Sequence, residues 1–283
     1  MRDHVLVGAV IAAGAMAAFP PATLAEAPAT GPGIIIAVAG SAIISTEGMP
    51  SGVEIWAEWY SLPPGGAVEE SATSAKWAYV ETTLRGSAAV SGDPSAMCHY
   101  ISAGGAPADT SERVTDPGDV QVCNYSILPG ERTENRGAEP YVFAGLAVGG
   151  PWSEGMEDAS EQYFKANGVV KAAQVDSSEF RKVEGEILKA GAMTVVIRNV
   201  TLPPGGRIVT KDRYPTLRMV ESGQLNLGLA GSETPAAAKN LSAYDMTEWV
   251  QADADKEIVL SNRGDQPTQY VEWVVSPVQG ASP

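Results

Sequence analysis

Histidine is almost missing from this chain: its 283 residues include two, His4 and His99. His4 lies in a leading segment not expected to join the folded domain. A site built on two or three imidazoles, as zinc, iron and copper enzymes commonly use, cannot be assembled from His99 alone. A serine–histidine or cysteine–histidine nucleophile would rest on His99 alone. Cysteine is equally scarce. Cys98 and Cys123 are the only pair, and no CxxC spacing is present, so thiol redox catalysis is not supported. Positive charge is short as well, with 19 lysines and arginines against 34 acidic residues and a formal net charge of -15. Such a surface repels phosphate backbones and anionic lipid headgroups, which removes nucleic acid from the expected partners. What the chain does hold is apolar material: 44% hydrophobic residues against 19% charged ones, ample for buried cores.

No charged side chain occurs from Val5 to Phe19, and small residues follow up to Ala25. This pattern predicts a secretory signal cleaved after Ala25; the alternative site after Ala27 is disfavoured by Pro28 directly behind it. Uncleaved, residues 5–24 would be a membrane anchor, since about 20 apolar residues span a bilayer. Either way the chain is expected to be exported, to a periplasmic or extracellular space, with membrane contact only through that segment. In an oxidising compartment Cys98 and Cys123 are expected to form a disulfide.

Self-similarity then organises the remainder. Leu62-Pro63-Pro64-Gly65-Gly66 recurs as Leu202-Pro203-Pro204-Gly205-Gly206, each behind an alternating run, Val53–Tyr60 and Thr194–Val200. Each is followed by a second β-rich run, Trp77–Glu81 and Leu217–Glu221, closing at Gly86 and Gly223. Downstream, Asn135-Arg136-Gly137 through Pro140 corresponds to Asn262-Arg263-Gly264 through Pro267, and both enter another strand. Two markers in the same order, twice, predict a duplicated all-β unit punctuated by proline and glycine turns. Asp158–Ala166 and Ser177–Leu188 are rich in helix formers and predict short helices between the copies. Gly33–Ile44 is apolar and β-branched and is expected to add a strand to the first copy.

At these residues the chain resembles the cupin superfamily, specifically a bicupin. Pro117-Gly118-Asp119 is similar to the turn that opens the second cupin motif, and Asn135 continues that motif; in the second copy Ala243-Tyr244-Asp245 stands in the turn's place, with Asn262 after it. The resemblance implies two jelly-roll β-barrels in tandem. The organisation is a signal peptide or anchor over 1–25, a barrel over 33–150, a linker with short helices over 151–190 and a second barrel over 191–278. Metal-binding cupins share a His-x-His pair, a following Glu and a later His four residues before Asn. Here the pair region reads Lys211-Asp212-Arg213-Tyr214-Pro215 in the second copy and falls within Ser71–Trp77 in the first, and the later position holds Ile258 or Glu131. The family's ligands carry over at no position, so neither a metal nor another cofactor is expected. A calcium site from Glu69, Glu70 or Glu131 has no supporting spacing.

A barrel mouth remains a natural pocket. Lys211, Arg213, Tyr214 and Arg218 in the second copy would favour a small anionic ligand if they converge, with Glu69, Lys76, Tyr79 and Glu81 as their counterparts in the first. Three functions follow. The chain is a non-catalytic exported bicupin, a binding or scaffold subunit of a larger complex; or a metal-independent lyase or isomerase on a small anionic substrate; or a carbohydrate-binding module that stacks sugars on its tryptophans.

Overall fold

The computed structural model describes residues 29–30, 32–45, 54–69, 77–92, 99–101, 112–123, 131–149, 170–174, 192–212, 214, 216–230, 239–243, 245–247 and 256–278. Every element among them is a strand. The leading segment gives β1 (Ala29–Thr30) and β2 (Ile35–Ser45). The first copy gives β3 (Glu54–Leu62), β4 (Ala67–Glu69), β5 (Trp77–Arg85), β6 (Ala88–Gly92), β7 (His99–Ile101), β8 (Glu112–Thr115), β9 (Val120–Cys123), β10 (Glu131–Glu134) and β11 (Tyr141–Gly149). Between the copies lies β12 (Val170–Gln174). The second copy gives β13 (Ala192–Leu202), β14 (Arg207–Lys211), β15 (Thr216–Ser222), β16 (Gln224–Leu229), β17 (Lys239–Ser242), β18 (Glu257–Ser261) and β19 (Thr268–Pro277).

All pairings are antiparallel. The first barrel is a six-stranded sheet, β12-β3-β11-β5-β9-β7, facing a four-stranded one, β4-β10-β6-β8. The second is β15-β19-β13-β2 facing β1-β14-β18-β16-β17. Alternation along the strands separates three cores. Val142, Ala144 and Leu146 of β11 join Met193, Val195 and Ile197 of β13 and Val271, Trp273 and Val275 of β19 in one cluster, so the six-stranded sheet of the first barrel packs against the four-stranded sheet of the second. Their opposite faces line the barrel interiors, with Tyr60, Leu62, Val68 and Tyr141 in the first and Val200, Leu202, Ile208 and Tyr270 in the second.

The leading strand departs from its expected place. β2 pairs with β13 of the second barrel, not with the first. Periodicity marks Gly33–Ile44 as a strand but cannot say which sheet it joins. The deciding fact is packing: Ala42 and Ile44 are buried in the core between the barrels, and Gly40 lies so close to β9 that a Cβ there would meet Val120 at 2.9 Å. The intervening region also holds a strand, β12, which adds to β3 of the first barrel. The helices expected over 158–166 and 177–188 fall outside the described residues, as do residues 5–24. Among the described residues no helix is long and apolar enough to cross a membrane.

The sequence repeat is a repeated lock. Asn135 donates through Nδ2 to the carbonyls of Leu62 and Glu139, at 2.9 and 2.8 Å, and accepts from the Gly137 amide at 2.9 Å. Asn262 does the same with Leu202, Gln266 and Gly264 at 2.9, 2.8 and 2.9 Å. Backbone bonds between each Asn and the paired glycines complete the joint, with Gly65 and Gly205 both at φ 75°. That left-handed conformation explains why the turns need glycine. Asn262→Ala removes its bonds to the buried Leu202 carbonyl and to the part-buried Gln266 carbonyl and Gly264 amide, and is expected to cost about 1–3 kcal/mol, read as a lower urea midpoint. Asn135→Ala should behave alike; an unmoved midpoint in both would remove the lock from the account.

The Pro-Gly-Asp turn and its stand-in are also equivalent. Asp119 Oδ2 accepts from the Asp116 amide at 2.7 Å, and Asp245 Oδ2 from that of Ser242 at 2.8 Å. The Asp119 carbonyl accepts from the Thr83 amide, and that of Asp245 from Val220, both at 3.0 Å. Thr83 therefore matches Val220, which makes Glu81 the counterpart of Arg218.

Candidate functional site

Inside the second barrel, one row across the sheet carries charge. Register places Glu272 of β19 between Arg198 of β13 and Arg218 of β15. Arg218 Nε donates to Glu272 Oε2 at 2.7 Å, while its two terminal nitrogens form a fork on Asp212 at 2.6 and 2.8 Å. Arg198 reaches the other Glu272 oxygen at 3.1 Å. The Arg218 side chain is 2% exposed, with Asp212 and Glu272 at 6% and 8%. Burial works against the guanidinium charge, but Glu272 and Asp212 outweigh it and hold Arg218 protonated, above its ordinary range. Two cations meet two carboxylates, and the guanidinium is closed by its own chain.

The corresponding row in the first barrel is different. Gly145 stands opposite both Glu58 and Glu81, and Glu81 stands opposite Gln121. Gly145 leaves room for Glu81, whose Cγ a Cβ would meet at 2.9 Å. Buried Glu131 of β10 accepts from Arg113 Nη2 at 3.4 Å and from Gln121 Nε2. Behind them, the Thr83 hydroxyl shares hydrogen bonds with Thr115 and Tyr141 at 2.6 and 3.2 Å. Burial pushes the Tyr141 hydroxyl far above its ordinary value, as it does that of Tyr270 in the second barrel. Both phenols are therefore held in the neutral, protonated form near neutral pH.

The sequence-predicted candidates are spread over these surroundings. Arg218 is inside the second barrel, bound as described. Lys211 is at the exposed end of β14, 3.8 Å from Glu257. Tyr214 is half-buried and packs against the core between the barrels. Tyr79 and Glu69 belong to β5 and β4, opposite Cys123 and Arg132. Arg213, Lys76 and Cys98 lie outside the described residues. Trp59 and Trp273 are buried in the core between the barrels. Glu81 lies inside the first barrel as described above; Asp212, Glu272, Arg198, Gln121 and Arg113 were not singled out from sequence. For Arg198 and Glu272 the signal was a lone charged side chain inside an otherwise apolar strand, as in Tyr270-Val271-Glu272-Trp273; Asp212 and Arg113, beside other charged residues, gave none.

The described residues of the second barrel do not fit a transition ion. The stretch that resembles the family's histidine pair holds Asp212 and Tyr214, Arg218 follows, and Ile258 takes the later position. The cation among them is the Arg218 guanidinium. In the first barrel the pair stretch carries no histidine. Among the described residues no group of three or more His, Cys, Asp or Glu is placed to hold a metal ion.

The fold is two antiparallel β-barrels in tandem, each of two facing sheets. No family model and no curated protein matches the chain. Among solved structures it is similar to the oxalate decarboxylase of Lactobacillus farciminis in its formate complex, at 13% identity and a TM-score of 0.48, over 84% of this chain and 81% of that one. It is similar to AerE from Microcystis aeruginosa at 9% identity and a TM-score of 0.48, over 83% and 96%. A deletion mutant of Bacillus subtilis oxalate decarboxylase OxdC gives 13% identity and 0.46, over 83% and 76%. At these values the likeness carries no inference about substrate or reaction, and the fold stands on the chain's own strand pairing.

Proposed function

We propose that the chain is a non-catalytic bicupin, exported to the periplasm or cell exterior, that serves as a binding or scaffold subunit of a larger complex. The supporting observation is the Arg218 network. Where metal-binding cupins hold an ion, this barrel holds a guanidinium each of whose three nitrogens is bonded to Asp212 or Glu272. A cation supplied by the chain itself takes the place a metal ion would need. The alternative, a metal-independent enzyme on a small anion, calls for Lys211, Arg213 and Tyr214 to converge; Lys211 is exposed beside Glu257, Tyr214 packs against the core between the barrels, and Arg213 lies outside the described residues.

Native purification from the host tests the proposal, with mass spectrometry of the mature N-terminus, metal analysis and identification of associated chains. Recovery at fixed stoichiometry with partner proteins supports it. A tightly bound transition metal with a turnover that chelation abolishes would overturn it. Cleavage after Ala25 would leave β1, which starts at Ala29, whole.

Export also carries the disulfide. His99 pairs with Val122, and the cysteines are the next residues along each chain direction, 98 before 99 and 123 after 122. A Cys98–Cys123 bond closing about 25 residues is expected to contribute about 3 kcal/mol. Peptide mapping without reductant should recover the linked pair, and reduction should lower the melting temperature. Two thiols that alkylate before any reduction would refute the bond.

A further inference from the structure

β2 is the end strand of its sheet, and no described strand pairs with its outer edge. It also carries four of the six exposed large hydrophobic residues among the described ones: Ile35, Ile36, Val38 and Ile43, at 60%, 39%, 62% and 48% exposure. A long apolar edge strand is a ready template for another strand. The question is which one.

The strand's own sequence answers it. Ile35-Ile36-Ala37-Val38-Ala39-Gly40-Ser41-Ala42-Ile43-Ile44 reads Ile-Ile-Ala inward from both ends. Two copies running antiparallel about the Ala39–Gly40 peptide place Ile36 against Ile43, Ala37 against Ala42 and Val38 against Ser41. Directly opposed residues of an antiparallel pair must share a sheet face. In a regular strand Ile36 and Ile43, seven positions apart, would be on opposite faces. Here the register slips between Ile197 and Arg198, so that Gly40 pairs with Ile197 and Val38 with Arg198, leaving Ala39 without a partner in β13. That bulge shifts the alternation by one. Ile36, Val38, Ser41 and Ile43 consequently oppose Val200, Arg198, Val196 and Thr194, alternate residues on one face of β13. The irregularity is what makes the exposed stripe match a second copy of itself.

We infer that the chain forms a two-fold dimer through β2, joining two sheets into one of eight strands in the order β15-β19-β13-β2 and its mirror. The occupant is another molecule of this protein, held by an isologous contact of the kind that closed symmetric dimers use. This goes beyond the scaffold reading and stands without it.

The test is sedimentation or light scattering of the purified full chain and of Val38→Lys. The wild type should run at twice its monomer mass at micromolar concentration, and Val38→Lys as a monomer with an unchanged circular-dichroism melt. Val38 is exposed, so the lysine reaches solvent in the monomer. Independently of that variant, a mixture of Val38→Cys and Ser41→Cys proteins should form an interchain disulfide under mild oxidation, with neither variant alone linking as fast. A monomeric wild type overturns the inference. So does a dimer that Val38→Lys leaves intact and the mixed cysteines fail to link, which would place the contact elsewhere on the surface.

Discussion

Arg218→Met is expected to lower the stability of the chain by about 3–5 kcal/mol, because it strands two buried carboxylates. Asp212 and Glu272 are both nearly inaccessible to solvent, and Arg218 supplies three of their hydrogen bonds. Arg198 still reaches one Glu272 oxygen after the change, but nothing remains in the described surroundings to bond Asp212 in the fork that Arg218 made. Much of the loss is desolvated charge rather than a missing attraction, and this gives the prediction a second part. Adding Asp212→Asn and Glu272→Gln to Arg218→Met removes the stranded charges and should recover more than half of the deficit. Urea unfolding followed by tryptophan fluorescence reads both, since Trp273 neighbours Glu272 in sequence and is fully buried. A single variant within about 1 kcal/mol of wild type would be what an exposed ion pair gives, and would reopen the second barrel as a ligand site.

The same network shows what sequence can convey about this fold. The repeat was legible because its markers are conformational: glycines at positive φ in the turns and asparagines that tie each turn to the chain before it. Chemistry of that kind needs one residue type at one place, so duplication preserves it in print. The stand-in for the Pro-Gly-Asp turn was placed correctly around Asp245, since the aspartate makes the same bonds without the proline or glycine. The polar interior was less legible. Matching the β-rich runs by their distance from the Pro-Pro-Gly-Gly turns sets Glu81 beside Glu221. The structure aligns them from the other end, by the backbone bonds of Thr83 and Val220, and sets Glu81 beside Arg218. Three residues of slack in the connection exchange a surface position for an interior one. Sheet membership was illegible for the same reason that it matters: β2 is apolar on both faces, and alternation alone cannot name its partner.

Deleting residues 1–45 is therefore expected to do far more than deleting 1–25. The shorter deletion stops before β1 and should leave the melting temperature unchanged. The longer one removes β1 and β2, strips a ten-pair ladder from β13 and uncovers Met193, Val195 and Ile197, each at 0% exposure in the intact chain. It also removes Ala42 and Ile44 from the core that joins the barrels. Burying one such isoleucine is worth about 1.5–3 kcal/mol, and whole domains are stable by only about 5–15 kcal/mol. The second barrel should consequently fail to fold, giving an insoluble product or a loss of the cooperative transition in which Trp273 is exposed. A point variant grades the effect: Ile44→Ala should cost about 2–5 kcal/mol and still yield soluble protein. Should the protein without residues 1–45 melt like the full chain, β2 would be an appendage rather than a wall of the second barrel, and the segment that leads the first copy would belong to it in sequence alone.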